Sequence, residues 1–200
     1  QLQSSSTTTT NYEPAIINPS YYLIGRPNEI NISNTTYVNT TGSSNTKTSN
    51  QKLFYNFHKL IKTEKKANNS PESLVEEFSY FPNGLLKSKK NSAIGTNSLN
   101  AVNPRTISYT YDSTNRFIKT TTDPEGLVTT NNTYHNIYGL VTSQTNPFGQ
   151  TTQTVFDFWG KQTKVTDFLG KSITYTYTKN GGRIKILQTG DDQSESFIEQ

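Results

Sequence analysis

The residues able to carry out chemistry are few and poorly placed for it. His58 and His135 are the only histidines and stand on opposite sides of the chain's midpoint, so a histidine triad or metal cage lacks its material. Cysteine is absent, which removes thiolate nucleophiles, thiolate zinc sites and disulfide frameworks together. Asp112 and Asp157 offer carboxylates for acid–base work. Each follows an aromatic residue, in Tyr111-Asp112 and Phe156-Asp157, and that recurrence points instead to side-chain caps on the turns that come next. The glycines are spaced by strands rather than clustered, so no phosphate cradle is expected. Trp159, the sole tryptophan, stands beside Gly160; stacking on a sugar is open to it, and packing over a neighbouring hairpin is the expectation. No catalytic residue, metal ligand or cofactor is assigned, and the chain is not expected to be an enzyme.

The formal net charge is +4 and the pI about 9.1, which raises nucleic acid as a partner. Lys59, Lys62, Lys65 and Lys66, then Lys87, Lys89 and Lys90, lie near Phe54, Tyr55, Phe57, Tyr80 and Phe81. Phosphate binding with base stacking uses such residues. Glu64, Glu72, Glu76 and Glu77 interrupt the basic stretch, and no nucleic-acid motif surrounds it. The lysines are expected to coat the solvent face and guard strand edges, with no nucleic-acid partner.

The elements that must position these residues follow from composition and period. Hydrophobic residues make up 30 % of the chain, against about 45–50 % apolar in ordinary globular domains. In their place stand 32 Thr, 22 Asn and 20 Ser, with 12 Tyr and 10 Phe, a mixture that suits strands and turns. No apolar run approaches the roughly 20 residues of a membrane-spanning helix. The chain opens on Gln1 without a charged and apolar leader and contains no methionine, so it reads as an internal or processed piece of something longer. Five Asn-x-Ser/Thr sequons, at Asn31, Asn34, Asn39, Asn68 and Asn131, are about what this composition gives by chance.

From residue 51 onward the sequence repeats. Tyr111-Asp112, Tyr134-His135, Phe156-Asp157 and Tyr177-Thr178 align, and a turn residue follows each at Asn115, Gly139, Gly160 and Gly181-Gly182. A second turn glycine follows at Gly126, Gly149, Gly170 and Gly190, with Asp123-Pro124, Asn146-Pro147 and Asp167 before the first three. Ten or eleven residues between glycines hold one strand and one turn, so each unit is a β-hairpin. Ile173, Tyr175 and Tyr177 alternate with Ser172, Thr174 and Thr176, as Ile107, Tyr109 and Tyr111 do with Ser108 and Thr110. Asn115 takes a glycine's place because Asn tolerates a positive φ best among the rest. Asn83-Gly84 and Asn180-Gly181 read as two-residue hairpin turns. Residues 80–87 and 55–62 look like worn copies, the latter without its glycine. Ser70 to Phe78 has a helix start signal, but its alternation favours a strand.

Three segments follow: a polar N-terminal linker over 1–50 with an ordered island at 21–27 that Gly25 and Pro27 end; divergent repeats over 51–103, with a long loop or insertion near 91–103; and well-formed repeats over 104–200. The Ser/Thr run from Ser4 to Thr10 reads as a flexible linker or ragged end.

Tyr111-Asp112 with Asn115-Arg116-Phe117 and Asp123-Pro124-Glu125-Gly126-Leu127 resembles the YD repeat of Rhs-type proteins. Phe156-Asp157 with Gly160-Lys161 and Asp167 to Gly170 resembles a second copy, and Tyr134-His135 with Gly139-Leu140 and Pro147-Phe148-Gly149 a more distant one. The resemblance covers 104–190 well and 51–90 loosely. Tyr22-Leu23-Ile24-Gly25-Arg26-Pro27 is similar to the segment that joins the SpvB-like part of such proteins to their repeats. Asn115 replaces a turn glycine, His135 and Thr178 an aspartate, and Phe156 a tyrosine.

The resemblance implies an all-β fold of repetitive antiparallel hairpins, part of a twisted, spiralling β-sheet shell with a polar N-terminal segment. It implies a secreted or cell-surface location, and as partners the remainder of a longer chain, with further repeats and a C-terminal toxin inside the shell. It also raises autoproteolysis at Asp123, since self-cleaving Rhs proteins end their repeats on a similar run. Six residues separate Phe117 from Asp123, longer than that terminal motif has, and more repeats follow, so an internal turn is expected. The structural residues of the repeats are then Tyr111, Asp112, Arg116, Asp123, Pro124, Gly126, Tyr134, Gly139, Gly149, Phe156, Asp157, Gly160, Gly170, Tyr177 and Gly181. The alternative is a module whose exposed Tyr, Trp159 and Thr rows bind carbohydrate or a cell surface. Regular stacking of Tyr111, Tyr134, Phe156 and Tyr177 would favour the structural reading.

Overall fold

The computed structural model describes residues 3–18, 20–38, 43–67, 70–95, 103–180 and 183–199. Every regular element among them is a strand: β1 (Gln3–Tyr12), β2 (Ile16–Asn18), β3 (Tyr21–Leu23), β4 (Pro27–Val38), β5 (Ser43–Asn56), β6 (Lys59–Ala67), β7 (Ser73–Tyr80), β8 (Leu86–Ile94), β9 (Arg105–Tyr111), β10 (Ile118–Thr122), β11 (Val128–Tyr134), β12 (Val141–Thr145), β13 (Thr151–Phe156), β14 (Gln162–Thr166), β15 (Ser172–Asn180), β16 (Arg183–Gly190) and β17 (Glu195–Glu199). The all-β, antiparallel hairpin fold expected from the period is what the chain adopts. It divides into two units, Gln1–Ile107 and Ser108–Gln200.

In the first unit the strand order is β1-β4-β5-β6-β7-β8, every neighbour antiparallel, with β2 and β3 forming a separate small hairpin. The Ser/Thr run expected as a flexible linker is instead β1. Two of its β-branched threonines lie opposite apolar partners on β4, Thr8 against Ile32 and Thr10 against Ile30, and such cross-strand pairs stabilise a sheet whatever the polarity of its other face. Pro27, expected to end a short island, opens the 12-residue β4, a strand-initial place where its missing N–H costs no ladder bond. Gly25 does turn the chain just before it, at φ +70°. The segment after Ser70 forms β7, as its alternation requires. Residues 91–94 of the expected insertion belong to β8, and 96–102 lie outside the described residues.

In the second unit β9 to β17 follow one another as a meander, each strand paired with the next. Strands of five to nine residues fit the 10–11-residue spacing of the turns. On β15, Tyr175 and Tyr177 are half-buried while Thr174, Thr176 and Thr178 are exposed, which is the alternation of a sheet with one better-covered face.

Neither unit has the core of a compact domain. Among the described residues only Val75 and Thr63, at 2 % and 3 % relative exposure, are fully buried. Both sit on the central strands β7 and β6. Tyr111, Tyr134, Phe156 and Tyr177 are all half-buried.

Candidate functional site: the repeated turn and its tyrosine

The repeat is built from one turn used many times. In each, the N–H of a first residue bonds the carbonyl beyond the turn, and the N–H of a later residue returns to the first carbonyl. Asp123 N–H donates to Leu127 O at 3.0 Å and Gly126 N–H to Asp123 O at 3.0 Å; Asn146 with Gln150 and Gly149, Asp157 with Lys161 and Gly160, and Asp167 with Lys171 and Gly170 repeat it at 2.8–3.1 Å. This is a tight turn closed by a left-handed residue. Gly126, Gly149, Gly160 and Gly170 have φ of +83°, +79°, +77° and +83°, a region that costs an L side chain roughly 1–2 kcal/mol. Pro124 fits just after Asp123 because its fixed φ suits the second position of such a turn.

The side chain of the first residue caps the same turn. Asp123 Oδ1 accepts from the N–H groups of Glu125 and Leu127 at 3.0 and 2.8 Å, Asp157 Oδ1 from Trp159 and Lys161 at 2.8 Å each, and Asp167 Oδ1 from Leu169 and Lys171 at 2.9 and 2.8 Å. Asn146 does the same for Phe148 and Gln150. Asp112 accepts from Arg116 and Phe117 N–H and from the Thr114 hydroxyl. These bonds, the one from Phe117 first, hold its pKa down at about 2. His135, in the aspartate's place, makes a poorer cap: its Nδ1 is 3.4 Å from Tyr138 N, and the turn is one residue longer before Gly139.

Three turns differ from expectation. Asn83-Gly84 does not form a two-residue turn; Phe81 N–H bonds Leu85 O and only Gly84 has a positive φ, where a two-residue turn of that kind needs two. Gly190 is not the left-handed residue of its turn. It occupies the cap position, Gln193 takes φ +63°, and Asp192 caps Ser194 N–H in its stead. In the unit lacking a glycine, Phe57 itself adopts φ +50°, and nothing in its side chain announces that. Asn115 does adopt the left-handed conformation, at φ +56°. Gly181 lies outside the described residues; β15 and β16 pair up to Asn180 opposite Arg183.

In three repeats the tyrosine reaches back to the hairpin before it, a relation the spacing alone did not disclose. Tyr80 OH donates to Leu60 O at 2.6 Å, Tyr177 OH to Gln162 O at 2.7 Å, and Tyr134 OH to Ile118 O. The acceptors are equivalent, because Leu60, Ile118 and Gln162 lie opposite Tyr55, Tyr111 and Phe156, the preceding aromatics. Basic side chains accompany the rings: Lys59 Nζ is 5.5 Å from the Tyr80 centroid and Lys161 Nζ 5.2 Å from that of Tyr177. Arg116 lies 5.3 Å over Phe117, whose ring stacks on Tyr134 at 4.8 Å. Burial pushes the hydroxyls of Tyr80, Tyr134 and Tyr177 up.

Trp159 is not packed over a neighbouring hairpin. It is 76 % exposed, edge-on to Phe158 at the tip of its turn. Several lysines of the basic stretch sit beside acids: Lys89 and Lys90 lie 2.6 and 2.8 Å from Glu76 and Glu77, and Lys62 2.6 Å from Glu64. Arg26, upstream, clamps Glu13, bonds the carbonyl of Phe57 and lies 4.6 Å over the Tyr55 ring.

No protein-family model and no curated protein matches the chain. Among solved structures, the chain is similar to one in the crystal structure of TcdB2-TccC3-Cdc42, with a TM-score of 0.45 and 14 % identity. That likeness covers 88 % of this chain and spans 11 % of the length of the other.

Proposed function

We propose that the chain is a wall segment: a structural YD/Rhs-type repeat module of a larger secreted or cell-surface protein, whose sheet encloses or displays another part of the same protein, such as an effector. The observation that supports this most is the turn–tyrosine unit. An Asp or Asn caps most of the turns and, at three joints, a tyrosine fastens a hairpin to the one before, which suits repeats that add one after another without a closed core. The acidic residues of the turns are spent on backbone N–H groups, which suits a framework rather than catalysis; on this reading Asp123 is a cap like Asp167, and the Asp123–Pro124 bond stays intact on incubation at neutral pH.

Protection tests enclosure. In the parent protein, a protease site engineered into the segment the wall would enclose should resist cleavage, and replacing Tyr134 and Tyr177 by Ala should expose it. Equal cleavage before and after that change, with the repeats still folded by circular dichroism, would reject a wall.

A further inference from the structure

The first unit carries a polar face that the repeat does not require. Register places Asn11, Glu29 and Lys52 in one row across β1, β4 and β5, Thr9, Asn31 and Asn50 in the next, and Thr7, Ser33 and Thr48 in a third. Two-residue steps keep all three rows on one face. Two adjacent cavities open along them. One, of about 300 Å³, is lined by the Thr7, Thr9, Asn31 and Asn50 rows; the other, of about 600 Å³, by Asn11, Asn28, Glu29, Lys52 and Phe54 among others.

The polar groups in these cavities are oriented by one another. Asn50 Nδ2 donates to Glu29 Oε1 at 2.8 Å and to Asn31 Oδ1 at 2.7 Å, and Asn11 Nδ2 donates to Glu29 Oε2 at 2.9 Å. Hydrogen bonds from Asn50 first, then Asn11, hold the Glu29 pKa down, so the carboxylate stays ionised. Asn31 bonds it as well, and of the roughly four acceptor sites of a carboxylate one remains. Asn28, lining the same cavity, has a buried Oδ1 without a hydrogen-bond partner, an arrangement that costs free energy until a donor arrives. At the end of the rows Phe54 is 37 % exposed, with Lys62 Nζ 5.1 Å from its centroid.

We propose that this face of β1, β4 and β5 binds a neutral, hydroxyl-rich oligosaccharide, with Glu29, Asn31 and Asn50 bonding sugar hydroxyls and Phe54 presenting its ring to one sugar. Its chemistry fits that ligand over others. A carboxylate accepts from hydroxyls and amides both donate and accept, so vicinal diols are matched. Lys52 and Lys66 stand against Glu13 and Glu29 in the lining, which leaves no positive excess for a sulfated glycan or a phosphate backbone. From Thr48 to Phe54 the face runs roughly 20 Å at a strand's rise per residue, the reach of a chain rather than of one sugar. The site is independent of the wall reading and stands or falls separately from it.

The test titrates the isotope-labelled 200-residue chain with cellohexaose, maltohexaose and chitohexaose, and with a heparin hexasaccharide as the acidic arm, followed by amide chemical shifts. At least one neutral hexaose should bind, moving the amides of Asn11, Glu29, Asn31, Asn50 and Phe54, and Glu29→Ala and Phe54→Ala should each weaken it tenfold or more. Shift mapping on the unaltered chain decides the matter even where a variant folds poorly. The proposal is overturned by no shift with any neutral hexaose at 10 mM (about the weakest affinity such a site would need), by shifts confined to other strands, or by binding of the heparin fragment alone.

Discussion

Phe156 is the one aromatic of the regular register, among those with a described predecessor, that lacks the hydroxyl, and it supplies a reciprocal experiment. Tyr177→Phe removes a 2.7 Å bond to Gln162 O while leaving the ring under Lys161 Nζ. A net hydrogen bond is worth about 1 kcal/mol, within a range of roughly 0.5–1.5, which is about a fivefold change in the folded-to-unfolded ratio. For a unit of this size that lowers the midpoint of melting by about 4–8 °C per kcal/mol, or shifts the urea midpoint by about 0.3–1 M with the slope unchanged. Phe156→Tyr does the opposite. Val141 lies opposite Tyr134, as Gln162 lies opposite Phe156, so a hydroxyl at 156 meets an equivalent carbonyl and gains up to about 1 kcal/mol by the same reasoning. Both variants are compared by urea titration at neutral pH. If Tyr177→Phe changes stability by less than about 0.3 kcal/mol, or Phe156→Tyr lowers it, the hydroxyl bond does not fasten the hairpins.

Asp112 binds its proton less readily folded than unfolded, its pKa falling to about 2 from near 4. Its stabilising contribution is therefore complete above the unfolded value and disappears as pH falls from about 4 to 2; urea titrations at pH 5 and pH 2 should show the loss, and Asp112→Ala should show less of it. Tyr80, Tyr134 and Tyr177 titrate above their usual value in the fold, so their contribution is complete below about pH 10 and is lost as pH rises through the raised values; alkaline denaturation should be blunted in Tyr177→Phe. Gly126→Ala costs only the left-handed backbone, about 1–2 kcal/mol, since its Cβ would meet open space, whereas a Cβ at Gly139 would overlap the Phe117 ring. Gly139→Ala should therefore be the more destabilising by thermal melting, and equal losses would refute the packing at that turn.

How much was legible in the sequence depends on whether a feature lies in a residue or in a relation between residues. Gly126, Gly149, Gly160 and Gly170 announce left-handed turns because few other residues sit there cheaply, and Asp123 or Asp167 announces a cap because its short carboxylate reaches backbone N–H groups two and four residues on. Gly190 misled because its distance of 20 residues from Gly170 comes close to the repeat, while the turn it belongs to begins rather than ends there. Phe57 was invisible because tertiary contacts, including the Arg26 bond to its carbonyl and an edge-on Tyr21 ring whose centroid is 5.6 Å from its own, outweigh its own preference. The tyrosine bonds were hidden for the same reason: they join residues 15 to 20 apart whose pairing depends on a register shift beside the turn. The first fifty residues misled by composition, since threonine serves a linker and a strand alike, and only the isoleucines of β4 opposite it decide which.

The bonds from Tyr80, Tyr134 and Tyr177 point toward the N-terminus, the donor in the later hairpin and the acceptor in the earlier one, whereas Tyr138 OH donates forward to Phe158 O. At those three backward joints, a chain made N-terminus first exposes the acceptor before the matching donor exists. At about 5–20 residues per second a repeat of some 22 residues takes roughly one to four seconds to emerge, while a hairpin closes in about 1–10 μs. Each hairpin is thus finished long before its successor arrives to fasten onto it. The hairpins are laid down as courses of masonry are, each set before the next, and at these three joints the earlier course carries the carbonyl and the later one the hydroxyl.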